Sequence, residues 1–462
     1  MSAKRSDALL HKRENGYRSL SAEEKAAMNA YCEDYKTFLD KSRTEREAVR
    51  YTVQLAEARG YRPYHRGDAL KPGDKIYRVN RDKAVMLAVM GTEPLDKGVN
   101  IGAAHIDAPR LDLKPNPLIE DSEFALLKTH YYGGIRKYHW VSIPLSLRGV
   151  VVKRDGTKVD VVIGGEPGDP LLTIPDLLPH LADKQAKEPL WQAIKGEDLN
   201  ILVGSEPYPD PDEKDAVKLM VLDILNQKYG MVEEDFLSAE LCAVPAYPVA
   251  DVGLDRSMIG SYGQDDRVCS FAALQGLFDA EETLKRTGVC MLVDKEEIGS
   301  EGVSGMQSWA FDTFLSDLCD ATGASLKSCY EHSFCLSADV TAAFDPNFAE
   351  VYEKHNAARL NRGVGLCKYT GARGKSGASD ASAEVVGYVR KLFNDNGILW
   401  QLSEMGKVDV GGGGTVALYM ANRNIDTIDA GTPVLAMHSP FEVTGKLDCY
   451  MTYRSMKAVF EA

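Results

Sequence analysis

The sequence predicts an α/β fold, a mostly parallel sheet flanked by helices and interrupted by an inserted β-rich domain. Three observations predict it. Short apolar runs alternate with amphipathic stretches before about residue 115 and again after about 249, the pattern of strands joined by covering helices. Between them lies a segment with Pro115, Pro117, Pro144, Pro167, Pro170, Pro175 and Pro179 and a strand-like pair at 141–152 and 158–164, which reads as ribbons and loops. The 462 residues, 44 % hydrophobic and 26 % charged, exceed one minimal domain at roughly 150 residues per domain and suit a folded chain. The expected division is a domain of 1–114 plus 249–462, interrupted by a domain of 115–248.

The elements follow in order. Ser21-Ala-Glu-Glu24 is a capping box ahead of a stretch, about 22–59, rich in Ala, Glu, Lys and Leu and ended by Gly60, so one long helix or two begin the chain. KAVMLAVMG (83–91) and VNIGAAHID (99–107) read as successive strands. The insert, 115–248, also holds the Pro/Asp-rich EPYPDPDEKD at 206–215. Beyond it a helix fits 267–286, then strand VCMLV (289–293), helix 304–321, strand FCLSA (334–338), helix 378–395 and a strand near 398–402. A glycine run, a helix at 415–423, strand PVLAM (433–437) and a final helix at 444–460 complete the reading. Internal repeats and low-complexity tracts are absent from it.

Charge and cysteine usage exclude several function classes. A formal charge of −14 counts against a nucleic-acid partner, whose phosphates are bound by clustered Lys and Arg. The first 25 residues hold no apolar run of signal-peptide length, and no stretch approaches the ~18 apolar residues of a membrane span. Nine cysteines, an odd number with no CxxC pair, read as reduced thiols of a cytoplasmic protein.

Several strand-like runs end in residues that bind cations. VNIGAAH reaches His105 and Asp107, GSYGQDDR supplies Asp265 and Asp266, VCMLVDKEEIG supplies Glu296 and Glu297, FCLSAD ends at Asp339, and PVLAMH ends at His438. In an open α/β sheet ligands bind outside the carboxyl ends of the strands, so these side chains are expected to converge. Imidazoles and carboxylates without thiolates suit two divalent ions, Zn²⁺ first and Mn²⁺ or Co²⁺ as alternatives. Such a pair can hold a shared hydroxide and polarise a carbonyl. The i, i+2 spacing of His105 and Asp107 lets the carboxylate accept the ring N–H and fix the tautomer. Of the adjacent Glu296 and Glu297, one ligates and one serves as general base. Taken singly, each residue is commonly a structural histidine or a solvated charge; five strand ends carrying metal-competent groups are a different matter.

The segments AAHIDAPRLDLKPNP (103–117), GQDDRVCSFAAL (263–274), VDKEEIGSEG (293–302), SADVTAAFDPNF (337–348) and VLAMHSPFE (434–442) resemble the signature blocks of the aspartyl aminopeptidase and vacuolar aminopeptidase I family of metallo-exopeptidases. The resemblance runs from about 85 to the C-terminus and is weak in the insert. It implies a zinc-exopeptidase-like fold and removal of N-terminal residues from peptides by a hydroxide shared between two zinc ions. His105 and Asp339 would hold one ion, Glu297 and His438 the other, and Asp265 would bridge them. Glu296 would be the base, and Asp107 would orient His105. Related sites hold a pair such as Asp265-Asp266 through a strained peptide bond, with the cis form among the options. The resemblance also implies a homo-oligomer, a dimer at least and a dodecamer at full size, in which His180 of the insert reaches a neighbouring active site, and it places Lys368 where a substrate-contacting lysine is expected.

Two departures bear on specificity. Asp339-Val-Thr-Ala-Ala-Phe-Asp-Pro-Asn347 lacks both histidines of the family pattern D-M-A-H-A-x-H-P-N, and Phe441 replaces the arginine of M-H-S-x-R-E. The expectation is therefore a preference for neutral or hydrophobic N-terminal residues over the acidic ones of the aspartyl branch. Gly371-Ala-Arg-Gly374-Lys375-Ser376 has the wrong spacing for a phosphate loop. Gly411–Gly414 followed by Thr415 would let a peptide backbone approach closely. Two readings compete with the aminopeptidase: a di-metal deacylase or carboxypeptidase on the same scaffold, and a non-catalytic structural particle.

Overall fold

The computed structural model describes residue 5, residues 9 and 10, and residues 14–462; the start of the segment read for an export signal lies outside the described residues. Two capping boxes organise the first helices. Ser21 and Thr44 each accept the backbone N–H three residues on, and Glu24 and Glu47 accept the N–H of the capping residue in return, which satisfies N–H groups that a helix start otherwise leaves bare. Because Ser42 leaves helical geometry and Thr44 is extended, the region 22–59 is two helices, Ala22–Lys41 and Glu45–Glu57.

The main sheet has nine strands in the order Arg62–Pro63, Lys75–Asn80, Ala84–Val89, Gly288–Val293, Asn100–His105, Phe334–Ser337, Asp426–Gly431, Val364–Cys367 and Trp400–Leu402. Its four central strands, Gly288–Val293 to Asp426–Gly431, run parallel. Antiparallel pairings flank them on both sides, so the sheet is mixed. Ala84–Val89, Asn100–His105 and Gly288–Val293 are buried at every position, the physical reason they read as unbroken apolar runs.

Alternate side chains feed two cores. Cys290 and Leu292 pack with the helices Gln264–Phe278 and Lys446–Phe460, whereas Val289 and Met291 pack with Phe311, Phe314 and Leu318 of the helix Ala310–Thr322, as a two-residue period requires. A Cβ on Gly102 would stand 2.8 Å from the Phe460 ring, so the C-terminal helix lies directly on the sheet at that glycine. Several helices are shorter than the sequence predicts: 267–286 resolves into Gln264–Phe278, 304–321 into Ala310–Thr322, 378–395 into Ala383–Asp395 and 415–423 into Ala417–Ala421. The final strand differs in identity. Pro433–Leu435 belongs to a separate sheet, and the strand that joins the main sheet is Asp426–Gly431, whose two aspartates disguise it.

A second, six-stranded sheet is antiparallel throughout, in the order Lys158–Ile163, Leu145–Val152, Ala239–Pro245, Arg110–Asp121, Phe124–Tyr132 and Ile201–Gly204. The first two form the expected ribbon pair, and the sheet has its own apolar core around Trp140, Leu145, Val151 and Phe236. The strand Arg110–Asp121 runs continuously past residue 114. A third sheet of five short strands, Ala250–Val252, Met258–Ser261, Glu442–Gly445, Pro433–Leu435 and Thr341–Ala342, lies beside the first and delivers part of the site. No helix among the described residues is long and apolar enough to cross a membrane. All nine cysteines are free thiols.

Candidate metal and active site

The seven residues read as ligands, base and orienting carboxylate come together. His105 ends the strand Asn100–His105, and Ser270 of the helix Gln264–Phe278 donates to its carbonyl at 2.6 Å. The strand stops there, and His105 Nδ1 sits 3.1 Å from the Asp107 carbonyl and 3.3 Å from its Oδ1, so both oxygens of Asp107 in reach of the ring fix it. After Gly288–Val293 the chain leaves the pleat at Lys295 (φ 73°) and enters a 3₁₀ turn, Glu296–Ile298. Asp107 accepts the N–H groups of both Glu296 and Glu297 at 3.2 Å. Asp339 follows Phe334–Ser337.

The remaining two residues read as ligands, Asp265 and His438, are delivered by the five-stranded sheet rather than the main one. Met258–Ser261 leads through Gly263 (φ 73°) to Asp265, and the Asp265–Asp266 peptide bond is cis. His438 lies between Pro433–Leu435 and Glu442–Gly445, with its own φ at 62°. Asp265 joins the two halves: Oδ1 is 3.1 Å from His105 Nε2 and Oδ2 is 3.1 Å from His438 Nε2. Glu296 Oε2 and Asp339 Oδ1 lie 3.8 and 4.0 Å from His105 Nε2, while Glu297 Oε2 lies 3.5 Å from His438 Nε2.

The electrostatics are those of a site short of positive charge. Burial pushes Glu296 up to about 7 and holds Glu297 and Asp339 well above the usual carboxylate range, because a desolvated anion near other anions favours its neutral form. Burial also acts to raise Asp265, but hydrogen bonds with the two imidazoles bring it well below the usual range. Against burial, Asp107 and Asp265 hold His105 well above an ordinary histidine, and Asp265 pushes His438 up to about 10. Among the described residues, no Lys or Arg lines the cavity beside these groups. Donor atoms of His105, Glu296 and Asp339, and of His105, Asp265 and Glu297, lie within 4.8 Å of one another, and buried Glu297 Oε1 has no hydrogen-bond partner. Two imidazoles, clustered carboxylates and an unpaired buried oxygen fit divalent cations of the zinc type.

Three participating residues lie beyond the sequence reading. Glu442, 1 % exposed, accepts the backbone N–H of His438 at 2.7 Å and of Asp265 at 3.1 Å. Burial pushes this carboxyl up to about 8. The Gly134 carbonyl lies 2.9 Å from His438 Nδ1, and the Tyr132 hydroxyl donates to Asp107 Oδ2 at 2.7 Å. A glutamate at the end of an apolar segment is the available signal for Glu442; Tyr132 and Gly134 carry none.

Two residues read as substrate contacts lie elsewhere in this chain. His180 is exposed on the turn Pro179–Leu181 and does not line the cavity. Lys368 is exposed and pairs with Asp380 at 2.9 Å, while its neighbours Cys367 and Tyr369 do line the cavity. Phe441 packs over Gly260 and edge-on to Tyr247, away from the cavity lining, and neither Ala342 nor Asp345, at the positions of the missing histidines, reaches it. The space, about 480 Å³, is bounded by Tyr369, Met405, Leu418, Tyr419 and Met437 opposite the carboxylates. Gly371–Ala372 and Gly412–Gly413 pair as a small antiparallel ribbon along it. A Cβ on Gly412 would stand 2.3 Å from the Gly371 carbonyl oxygen, so the ribbon requires glycine there.

Comparison with known proteins adds a family setting. The sequence profile of the aminopeptidase I zinc metalloprotease (M18) family matches residues 38–460. A probable M18 family aminopeptidase 1 of Borrelia garinii subsp. bavariensis is 45 % identical over 457 residues, covering 97 % of this chain and 100 % of that protein. The crystal structure of an M18-family aminopeptidase from Thermotoga maritima matches with a TM-score of 0.94 at 43 % identity, over 98 % of this chain and 100 % of that one. At 22 % identity the S. cerevisiae mApe1 dodecamer shares the fold, with a TM-score of 0.77 over 94 % of this chain and 97 % of that one.

Proposed function

Since the chain belongs to the aminopeptidase I zinc metalloprotease (M18) family, and so is a metallo-aminopeptidase, we propose how its residues divide that work. His105 and Asp339 would hold one divalent ion, Glu297 and His438 would hold a second, and Asp265, in reach of both, would be shared between them. The observation that carries this is the pair of 3.1 Å contacts from the two Asp265 oxygens to two different imidazoles. Zn²⁺ is the first candidate, with Mn²⁺ or Co²⁺ as alternatives. When bound, the ions polarise the scissile carbonyl and acidify a water beside it.

The protein's own groups do the rest. Glu296, not needed as a ligand and tuned by burial to about 7, takes the water's proton and later delivers it to the leaving amine. Asp107 keeps His105 in one tautomer and holds the turn that carries both glutamates. The free amine of the peptide is drawn to the carboxylate-rich end, where no described Lys or Arg competes. Tyr369, Met405, Leu418 and Met437 receive the first side chain, which supports a preference for neutral or hydrophobic residues, with acidic ones as the alternative. The glycine ribbon passes close to the substrate backbone, and Lys368, whose neighbours Cys367 and Tyr369 line the cavity, reaches the substrate by leaving its pairing with Asp380.

The same reading extends to assembly. The catalytic domain is 1–114 plus 249–462, and the insert 115–248 carries the oligomer contacts. Leu171, Leu177, Leu178, Leu181, Leu190 and Trp191 are all exposed along the stretch 171–191 that carries His180, apolar side chains that suit contact with another copy. The mApe1 dodecamer supports a dimer at least and a dodecamer at full size, with His180 serving a neighbouring site. Nine unpaired thiols support a cytoplasmic location.

The deciding experiment is initial rates on acidic, aliphatic, basic and N-acetylated aminoacyl p-nitroanilides, with chelator and then Zn²⁺, Mn²⁺ or Co²⁺ added back. Cleavage of unblocked aliphatic substrates, lost on chelation, is expected. Cleavage of the acetylated substrates, or a ranking led by acidic residues, would contradict the specificity assigned here.

Protons compete with the ions for the same ligands. With Glu297 and Asp339 held up by burial, and His438 brought to about 10 by Asp265 against the pull of burial, the metal-free site retains protons at neutral pH. Metal binding must release them, so affinity is expected to rise with pH, about tenfold per unit for each proton released. Chelator competition at pH 6, 7 and 8 reads this directly, and a flat profile would rule the proton-holding ligands out.

A further inference from the structure

The strand Phe124–Tyr132 of the six-stranded sheet ends against the metal site, and its last residue touches the carboxylate that organises that site. Asp107 is fully buried. Its Oδ2 accepts the Tyr132 hydroxyl at 2.7 Å and the Glu297 N–H at 3.2 Å; its Oδ1 accepts the Glu296 N–H at 3.2 Å and lies 3.3 Å from His105 Nδ1. Four groups thus fix one carboxylate, and three of them belong to the histidine and the glutamate turn. The fourth comes from another sheet.

The tyrosine is itself held. It is 7 % exposed, and its register partner Arg110 places a guanidinium 4.1 Å from the ring centroid. Arg110 is anchored by Glu45 at 3.0 Å and Asp112 at 2.8 Å. Lys295 Nζ, from the residue that opens the glutamate turn, lies 5.7 Å from the same centroid. Gly133 and Gly134 then continue the contact: a Cβ on Gly133 would meet Glu297 at 3.3 Å, and the Gly134 carbonyl lies 2.9 Å from His438 Nδ1.

We propose that Tyr132 is a positioning residue, through which the six-stranded sheet sets the orientation of Asp107 and, through Asp107, of His105 and the Glu296–Glu297 turn. The proposal rests on the ligand assignment made above. Asp107 is an outer partner of the kind that fixes ring orientation and ligand basicity, whose loss typically costs about 10–100-fold in metal affinity or activity, and Tyr132 acts one hydrogen bond further out, so the low end of that range applies to it. Tyr132→Phe isolates the effect, because the ring, its packing and both cation contacts remain while the hydroxyl alone leaves.

The test compares the wild type, Tyr132→Phe and a His105→Ala control by Zn²⁺ affinity in chelator competition, the visible spectrum of the Co²⁺-substituted protein, kcat and KM on an unblocked aliphatic p-nitroanilide, and thermal midpoint. Tyr132→Phe is expected to lower metal affinity and kcat about tenfold each, to alter the Co²⁺ spectrum, and to leave KM and the midpoint near wild type. Wild-type affinity and spectrum in Tyr132→Phe, with metal lost in His105→Ala, would overturn the positioning role and leave the ligand assignment standing. Metal retained by His105→Ala would overturn both. A fall in affinity that only tracks a fall in midpoint would make Tyr132 a packing residue and overturn the proposal.

Discussion

Glu296→Gln is expected to lower kcat by about 10²–10⁴-fold, the range for removal of a general base, while the metal content of the protein stays at the wild-type value. The two halves of that result have separate causes. The introduced amide keeps the size and shape of the glutamate side chain, and the backbone N–H that holds the turn to Asp107 is untouched, so the proposed ligand Glu297 next to it stays in place. What disappears is a group that accepts a proton near neutral pH. Burial pushes Glu296 to about 7, a suitable poise for a base that must take a proton from water and give it back to an amine. Steady-state kinetics beside atomic absorption on the same preparation decide it. Normal turnover would move the base elsewhere; loss of metal would make Glu296 a ligand.

Asp265→Ala is expected to remove metal and activity together. The side chain contacts both imidazoles, at 3.1 Å to each, so its removal breaks the link between the halves instead of weakening one. It also leaves two imidazoles facing a gap among carboxylates whose charge no longer has a bridging partner. Loss of the ions removes their charge stabilisation, worth several kcal/mol, and at about 1.4 kcal/mol per decade this amounts to about 10³-fold or more in rate. Metal content is expected to fall well below wild type. A variant that kept its full metal complement and a tenth of its activity would remove Asp265 from the bridging role.

Glu296 and His105 are both legible in the sequence, and the reason is local. Gly288–Val293 and Asn100–His105 announce themselves because a strand covered on both faces needs an apolar residue at every position, and the charged residues that follow then stand out as strand-end groups. Asp426–Gly431 hides because Asp429, buried in the main sheet, looks like a surface residue until Thr415 is seen to donate to it at 2.9 Å. Glu442 is plain in the sequence but its task is not, since its work is to accept two backbone N–H groups, and no side-chain pattern records that. Tyr132 is invisible for a third reason: it sits on a strand of a different sheet from the one that leads to its partner Asp107, and neither local sequence contains a sign of the other. Local periodicity carries the strands; contacts between elements carry the groups that orient the ligands.

How the protein is expected to lose activity follows from the division of its proposed ligands between two sheets, with His105, Glu297 and Asp339 following strands of the main sheet and Asp265 and His438 supplied by the five-stranded one. The smaller sheet consists of strands of two to four residues, few enough backbone bonds to open locally at a far lower cost than the whole chain. Such an opening separates Asp265 and His438 from their counterparts while the main sheet stays folded. Inactivation by heat or denaturant is therefore expected to precede global unfolding, and ions held by the proposed ligands would tie the small sheet to the large one as a clasp that closes this gap.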